Sequence, residues 1–354
     1  MVSDRHDNSD RYTVAVVERG TAAPLEFRSV TKRYANTADP ALEELSFTVP
    51  AGEVCVLVGP SGCGKTTAMR LVNRMIDLSS GDILIDEKSI STRAPADLRR
   101  EIGYVIQQVG LFPHLSIAHN ITTVPRLLGW DRRRMAARAA ELLDLVGLPQ
   151  EMGKRYPSQL SGGQRQRVGV ARALAADPPL MLMDEPFGAI DPINRERLQN
   201  EFLRLQDEIR KTVVFVTHDI DEAIKMGDRI AIMREGGHLV QYDTPDRILA
   251  HPADEFVAQF VGADRGLKRL ALTRLSEIEL DAVEARAQRD PDERTVSVDS
   301  TLRDALSLMM ADSLRPLLVL DQDGNPAGQV SIELLNRALR VVRDDGPTQD
   351  ATAR

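Results

Sequence analysis

The sequence predicts an α/β protein built on a parallel β-sheet that is covered by helices on both faces. Short, almost entirely apolar runs at 180–183, 213–217 and 230–233 alternate with helix-forming stretches at about 193–210 and 219–226. Strands that are apolar throughout are typical of parallel sheets buried on both sides. A further apolar run, Val54–Val58, leads through a glycine-rich segment into a helix-forming stretch, which indicates another strand-to-helix unit.

The glycine-rich segment has the pattern G-x-x-x-x-G-K-T, which is typical of a phosphate-binding loop between a strand and a helix. Glycines let successive backbone N–H groups converge on phosphate oxygens, and the following helix adds its positive end. The lysine supplies a charge to the β- and γ-phosphates, and the threonine hydroxyl suits Mg²⁺. The segment therefore predicts ATP or another nucleoside triphosphate as ligand, with these residues around it: Gly59, Pro60, Ser61, Gly62, Cys63, Gly64, Lys65, Thr66 and Thr67.

The segments around this loop predict further elements. Residues 1–23 are polar and charged without an amphipathic period, so we expect a flexible lead there. From about 107 to 160 the pattern turns helical, and apolar residues at i, i+3 and i+4 predict a helix that ends at Gly147. Alternating or apolar runs predict additional strands at 25–30, 42–49, 81–86 and 102–106.

Two acidic residues, Asp184 and Glu185, follow the apolar run 180–183. Side chains alternate along a strand, so these two carboxylates are expected to point in different directions and to take different roles. Asp184 can reach Mg²⁺, and Glu185 can face a water in line with the γ-phosphate as a general base. A pair of surface acids at a strand end is the alternative.

A short polar segment, Ser161-Gly162-Gly163-Gln164, precedes another helical run. It predicts a second exposed set of backbone N–H donors at a helix start. Taken alone, the segment also fits an ordinary capped helix.

The amino-acid composition argues against several classes of protein. The 354 residues are 42% hydrophobic and 28% charged, as in a folded globular chain. A net charge of −8 argues against a general nucleic-acid binder, without excluding a local basic groove. Two cysteines offer no disulfide framework and suit a reducing compartment. We expect no signal peptide and no membrane span, so a membrane role would come through a partner.

Taken together, Leu160–Gln164 and Asp184-Glu185 resemble the signature and Walker B motifs of ATP-binding-cassette (ABC) ATPases. Tyr34, Gln107, Asp191 and His218 match the remaining motifs of that family in order, over about residues 25–260. The resemblance implies a P-loop NTPase fold at 24–262. Its expected parts are a RecA-like parallel-sheet core, an antiparallel β subdomain and an α-helical subdomain at about 107–165.

The resemblance also implies a role for each matching residue. Tyr34 would stack on adenine, Gln107 would contact Mg²⁺ and the attacking water, and His218 would hold the γ-phosphate and orient Glu185. The expected catalytic set is thus Glu185, His218 and Gln107, and the expected metal ligands are Thr66, Gln107 and Asp184. In a head-to-tail dimer, ATP bound by one copy would be covered by the partner copy, through Ser161, Gly162, Gly163, Gln164 and Asp191.

Two further stretches, Ile106–His114 and Val261–Leu270, resemble the ATP-binding subunits of bacterial quaternary-amine importers. Such importers take up glycine betaine, choline, carnitine or proline betaine as osmoprotectants. The resemblance implies membrane permease subunits as partners, an extracytoplasmic solute-binding protein as an indirect one, and no nucleic acid. It places the chain peripherally at the cytoplasmic face of the plasma membrane.

The C-terminal part has a different pattern. We expect a charged linker at 263–293, a small α+β module at 294–345 and a flexible tail at 346–354. The β-α-β-β-α order of the module resembles one cystathionine-β-synthase (CBS) motif, which suggests regulation. The run Asp321-x-Asp323-x-Asn325 predicts a hairpin turn and not a Ca²⁺ loop, because Pro326 stands where that loop needs glycine.

Other functions stay open at this point. The nearest alternatives are the ATPase of a transporter for another small solute or of an exporter. A soluble ABC ATPase that acts on nucleic acid or ribosomes is disfavoured by the net charge. A regulatory cassette without activity is disfavoured by the intact pair Glu185 and His218.

Overall fold

The structure is a computed structural model that describes residues 21–35, 39–107, 110–188, 190–282, 294–311 and 313–340. Its strands are β1 (Leu25–Lys32), β2 (Leu42–Val49), β3 (Val54–Val58), β4 (Ser80–Ile85), β5 (Lys88–Ser89), β6 (Ile102–Val105), β7 (Leu180–Asp184), β8 (Thr212–Thr217), β9 (Arg229–Arg234), β10 (His238–Asp243), β11 (Thr295–Ser297), β12 (Leu317–Leu320) and β13 (Pro326–Val330). Its helices are α1 (Lys65–Val72), α2 (Pro95–Glu101), α3 (Ile117–Ile121), α4 (Thr123–Leu127), α5 (Arg132–Leu145), α6 (Gly162–Leu174), α7 (Pro192–Ile209), α8 (Ile220–Met226), α9 (Pro245–Ala250), α10 (Glu255–Val261), α11 (Arg265–Leu272), α12 (Leu302–Met310) and α13 (Ile332–Arg340).

The central sheet has six strands in the order β10-β9-β3-β8-β7-β6. All neighbours from β9 to β6 are parallel, and β10 pairs antiparallel with β9 at one edge. The predicted parallel sheet is confirmed. Because parallel strands end at the same edge, the segments after β3, β6, β7 and β8 converge there.

The apolar side chains of the central sheet feed two separate cores. In β3, Val56 belongs to the core shared with α6, α7 and α8, whereas Leu57 belongs to the core shared with α1 and the second sheet. Strand side chains alternate between faces, so an unbroken apolar run is what a sheet covered on both sides requires.

The second sheet is antiparallel, in the order β2-β1-β4-β5. Phe27 of β1 and Phe47 of β2 stack with ring centroids 4.6 Å apart, and Tyr242 of β10 packs against Phe47. The Tyr242 hydroxyl donates to the carbonyl of Thr48 at 2.7 Å, which joins this sheet to the edge of the central one. The expected antiparallel subdomain is present, and α3–α6 form the helical part that follows it.

The structure differs from the sequence prediction at two boundaries. Ala23 is buried and its N–H donates to the carbonyl of Pro179 at 3.3 Å, so the folded part begins before residue 24. The stretch assigned to a linker contains α11, and Leu270 and Leu275 are buried in a third core with β11–β13. Because this stretch contains many charged residues, the amphipathic pattern of α11 was not recognised in the sequence. Residues 1–20 of the predicted lead and the predicted tail at 346–354 lie outside the described residues.

The third sheet, in the order β11-β12-β13, shows the predicted β-α-β-β-α order with α12 and α13. Asp321 accepts the backbone N–H of Asn325 at 2.8 Å in the turn between β12 and β13, as a hairpin turn requires. Within the described ranges, no helix combines the length and apolarity needed to cross a membrane.

Replacement of Leu275 tests whether α11 and the turn after it belong to this third core. Leu275→Ala removes a fully buried side chain and should destabilise the module by about 2–5 kcal/mol. Amides of β12 should then exchange with deuterium faster, while amides of β3 and β8 keep their rates. Leu267→Ala, on the exposed face of α11, is the matched control and should change little. Equal exchange in both variants would contradict the assignment.

Candidate active site

The glycine-rich loop joins β3 to α1 and depends on the absence of side chains at two points. Gly59 has φ 154° and Gly64 has φ 100°. A Cβ on Gly59 would lie 2.1 Å from the carbonyl oxygen of Met233, and one on Gly64 would lie 2.4 Å from that of Ala41. Gly62, with φ 86°, faces open space instead. The loop is thus packed closely against neighbouring backbone at Gly59 and Gly64 and is open at Gly62.

Lys65 places a positive charge inside this loop. Its side chain is almost fully buried, and Nζ donates to the carbonyls of Gly59 at 2.7 Å and Pro60 at 2.9 Å. Nζ also lies 3.6 Å from Sγ of Cys63. Helix α1 begins at Lys65 without a side-chain cap or an acidic residue in its first turn. The positive end of α1 is therefore available to an anion.

Thr66 and Asp184 bring a hydroxyl and a carboxylate oxygen close together at the loop. Thr66 Oγ1 lies 3.5 Å from Asp184 Oδ1, at the end of β7. Burial, followed by the charge of Glu185, raises the pKa of Asp184 above its ordinary value. A half-buried carboxylate whose negative charge is disfavoured is stabilised by a cation, and the hydroxyl and carboxylate oxygens suit Mg²⁺. The donor set fits that ion.

The carboxylate of Glu185 is held by side chains from two neighbouring strand ends. Gln107, which follows β6, donates from Nε2 to Glu185 Oε2 at 2.8 Å. His218, which follows β8, has Nδ1 3.1 Å from Oε1. The structure thus brings the three expected catalytic residues together.

Backbone geometry sets the direction of Glu185. Its φ is 44°, in the left-handed region, and its N–H donates to the carbonyl of Val216 at 3.0 Å. Asp184 is the last strand residue and Glu185 lies beyond it, so the two carboxylates diverge through this left-handed turn and not through the pleat that the sequence predicted. A non-glycine residue in this region is strained and is a recurrent feature of active sites.

The imidazole of His218 contacts the Glu185 carboxylate and is also exposed to solvent. Its side chain is 61% exposed, and Nδ1 faces Glu185. The tautomer with the proton on Nδ1 donates to the carboxylate, which leaves Nε2 as an acceptor on the exposed side.

The segment Ser161–Gln164 caps α6. The Ser161 hydroxyl accepts the N–H of Gln164 at 3.3 Å, and Gln164 Oε1 accepts the N–H of Ser161 at 2.9 Å. Ser161 and Gly162 are exposed, and Gly163 is half-buried. Among the residues that the structure describes, the side-chain hydrogen bonds of Ser161 and Gln164 stay within the segment and none of them reaches the glycine-rich loop.

Asp191 caps α7. Its carboxylate accepts the backbone N–H of Asn194 at 3.1 Å and Nδ2 of the same residue at 2.8 Å, and these bonds lower the pKa of Asp191. Within the described residues, neither Asp191 nor Ser161–Gln164 is hydrogen-bonded to Glu185, Gln107 or His218.

Tyr34 lies in the connection between β1 and β2. Its ring is about two-fifths exposed, and Nζ of Lys32 lies 5.2 Å from the ring centroid. The connection ends at Ala41, whose carbonyl approaches Gly64. Tyr34 therefore lies on a segment that approaches the loop, and its ring is partly exposed to solvent. Residues 36–38 of this connection are outside the described part.

One buried pair was not found by sequence reasoning. Gln199 Nε2 donates to Glu222 Oε1 at 2.9 Å, and both residues are buried. Burial raises the pKa of Glu222. The pair joins α7, which begins directly after Asp191, to α8, which begins two residues after His218. The sequence could have indicated this pair through Gln199, a polar residue on the apolar face of α7 that also carries Leu198 and Phe202.

Comparison with known proteins agrees with this arrangement. A family model described as ABC transporter matches residues 42–188. The chain is 49% identical over 324 residues to the osmoprotectant import ATP-binding protein OsmV of Salmonella typhimurium, covering 90% of this chain and 82% of that protein. It is 48% identical over 313 residues to the glycine betaine/carnitine/choline transport ATP-binding protein OpuCA of Bacillus subtilis, covering 88% and 80%.

Similarity extends to solved structures. A dimeric ATP-binding cassette in a post-hydrolysis state, bound to ADP and Pi, matches with a TM-score of 0.55 and 32% identity. The match covers 62% of this chain and 98% of the other. From the loop, the strand-end residues and these relatives, we conclude that the chain belongs to the ABC transporter family of ATP-binding proteins.

Proposed function

We propose that this chain is the ATP-hydrolysing subunit of a bacterial importer for a quaternary-amine osmoprotectant, such as glycine betaine, choline, carnitine or proline betaine. The observation that carries the hydrolytic part is the Glu185 carboxylate, held between Gln107 and His218 at the sheet edge where the glycine-rich loop begins. The solute class rests on the relatives, whose names give osmoprotectant, glycine betaine, carnitine and choline transport.

ATP binds with its phosphates over the loop Gly59–Thr67 and its adenine on the accessible face of Tyr34. The Lys65 ammonium, now bonded to loop carbonyls, is within the loop that would receive the β- and γ-phosphates. Thr66, Asp184 and Gln107 are the residues that would hold Mg²⁺. When bound, Mg²⁺ would neutralise phosphate charge.

Hydrolysis uses Glu185 as the general base. Its carboxylate accepts a proton from the attacking water, whose oxygen then bonds to the γ-phosphorus as the bond to ADP breaks. The hydrogen bonds from Gln107 and His218 fix the orientation of the carboxylate. Less entropy is therefore lost when the transition state forms. His218 can also reach the γ-phosphate through its exposed nitrogen.

The working unit is a head-to-tail dimer. The exposed N–H groups at the start of α6 would cover the ATP held by the other copy, and Asp191 would lie near the same interface. The dimeric cassette with ADP and Pi is similar over most of its own length, which supports this arrangement. Closure around two ATP molecules and reopening after hydrolysis would drive transport.

The remaining partners follow from the importer proposal. Membrane permease subunits would hold the dimer at the cytoplasmic face of the plasma membrane, and an extracytoplasmic binding protein would select the solute. The third core would be a single CBS-like regulatory module, paired with its counterpart in the dimer. An ABC transporter for another small solute is the alternative.

Glu185→Gln tests the catalytic assignment. Glutamine has the same shape and the same left-handed strain as glutamate, so the fold should persist, but the base is lost. We expect ATP binding to be retained and hydrolysis to fall by about 100-fold or more. The measurements are ATP hydrolysis and uptake of labelled glycine betaine and choline by the complex with its permease and receptor. Normal turnover would remove Glu185 from this role. Hydrolysis by the wild type without uptake of either solute would instead favour the alternative solute.

Gly62→Ala separates the fold of the loop from its ligand. A Cβ at Gly62 meets nothing within 4 Å, so the melting temperature should fall only slightly, through the strain of a positive φ. The methyl group would nevertheless stand on the open side of the loop, and ATP affinity should fall by about tenfold or more. Gly59→Ala is the contrasting variant, because its Cβ collides with the carbonyl of Met233 and should destabilise the fold itself. Unchanged ATP binding by Gly62→Ala would place the phosphates elsewhere.

Complementation tests the shared site. Lys65→Ala disables the loop of one copy, and Gly162→Asp places a negative charge at the start of α6, where it suits the helix but repels phosphate. Each variant alone should be inactive. Mixed dimers would contain one site with both defects and one intact site, so the mixture should hydrolyse ATP faster than the two variants measured separately. No recovery in a mixture shown to contain mixed dimers would contradict the head-to-tail arrangement.

A further inference from the structure

A buried hydrogen bond connects helices α7 and α8, which begin within two residues of Asp191 and His218 respectively. Gln199 on α7 is 6% exposed, and Glu222 on α8 is 8% exposed. Gln199 Nε2 donates to Glu222 Oε1 at 2.9 Å. Neither side chain takes part in the chemical steps of the proposed hydrolysis.

Further hydrogen bonds connect Glu222 to the residues on both sides of His218. Asp219 Oδ1 accepts the backbone N–H groups of Asp221 at 2.9 Å and of Glu222 at 3.3 Å. The N–H of Asp219 in turn donates to Thr217 Oγ1 at 3.1 Å. Burial raises the pKa of Glu222, and the neighbouring Thr217 hydroxyl acts against this shift. The position of Glu222 is therefore tied to the backbone that carries His218.

On α7, the same cluster reaches the segment that carries Asp191. Arg195 lies one helical turn before Gln199, on the same face of the helix. Its N–H donates to the carbonyl of Asp191 at 2.8 Å, and its Nη2 donates to the carbonyl of Ile190 at 3.1 Å. The charge of Arg195 also acts on the carboxylate of Glu222. One cluster thus spans from Asp191 to the start of α8.

Packing alone does not account for a charged group in this place. The free energy of desolvating a buried carboxylate offsets most of what its hydrogen bonds contribute, and apolar side chains of the same volume would pack the two helices as well. A directional hydrogen bond fixes the relative position of two helices more narrowly than apolar contacts do. The pair therefore provides position and adds little stability.

We propose that the hydrogen bond between Gln199 and Glu222 is a positioning contact for hydrolysis, through which the segment that carries Asp191 sets the position of His218 against Glu185. The inference rests on the proposed hydrolysis and on the head-to-tail dimer, in which Asp191 lies near the partner copy. His218 Nδ1 is 3.1 Å from Glu185 Oε1, so a displacement of about 1 Å breaks this contact. Dimer closure at Asp191 would thereby control the orientation of the catalytic carboxylate.

Gln199→Met tests this contact, because methionine keeps the volume of the side chain and removes the donor. In the complex with the permease and the receptor, kcat for ATP hydrolysis should fall about tenfold as His218 loses its position. KM for ATP should change less than twofold, since the pair does not touch the ATP loop. Glu196→Gln, on the exposed face of α7, is the matched control and should keep the wild-type kcat.

An exchange variant distinguishes positioning from stability. Gln199→Glu combined with Glu222→Gln keeps a buried bond between an amide and a carboxylate, with donor and acceptor interchanged, and kcat should return to within about threefold of the wild type. All rates are measured well below the melting temperature of each variant. If Gln199→Met does not fold, Glu222→Met breaks the same bond and leaves a neutral amide unpaired instead of a charge.

The link to Asp191 is tested by combining variants. Asp191→Ala and Gln199→Met should together lower kcat by less than the product of their separate effects, because both interrupt one connection. Effects that multiply would overturn the proposal. A wild-type kcat in the folded Gln199→Met chain, or an exchange variant as slow as Gln199→Met, would overturn it as well. Normal turnover in Glu185→Gln would instead contradict the proposed function, so the two failures are distinguishable.

Discussion

The parallel register of β3, β8, β7 and β6 is the constraint on which the site depends. These strands end at the same edge, and the segments that follow them carry the residues proposed for ATP binding and hydrolysis. Glu185 shows this most clearly, because its two side-chain partners follow the strands on either side of its own. A shift of one residue in any pairing would turn the strand-end side chains to the other face and separate them. The apolar core that fixes the register is therefore also what positions the carboxylate.

Several features of the site are unfavourable for stability, and the same strands and helices hold them in place. Lys65 is buried among carbonyl oxygens, Asp184 is half-buried beside another acid, and two glycines are pressed against neighbouring backbone. None of these features improves the packing of the fold. They persist because strands and helices on both sides of the loop over-determine its shape. Such an arrangement is expected of a site that binds a multiply charged ligand. Donors that are already in position strengthen binding, and this gain outweighs the loss of local stability.

Much of this architecture could be predicted from sequence. The central strands are continuous apolar runs, and the loop and the acid pair are local motifs whose positions need no knowledge of tertiary contacts. Strand β10 was missed because it is only partly buried and mixes polar with apolar residues after Gly236 and Gly237. Helix α11 was missed because the longer stretch that contains it is rich in charged residues and was therefore assigned to a linker. The pair Gln199 and Glu222 joins residues 23 positions apart, and only the packing of α7 on α8 shows that they meet.

The left-handed backbone at Glu185 has a consequence for the stability of this protein. Glycine would adopt that conformation without the strain, which costs about 1 kcal/mol in a residue with a side chain. A neutral side chain in place of the half-buried Asp184 would likewise avoid the cost of burying a charge. Both substitutions remove a group that the proposed hydrolysis needs. Variants selected for heat resistance alone are therefore expected to lose activity through these two positions.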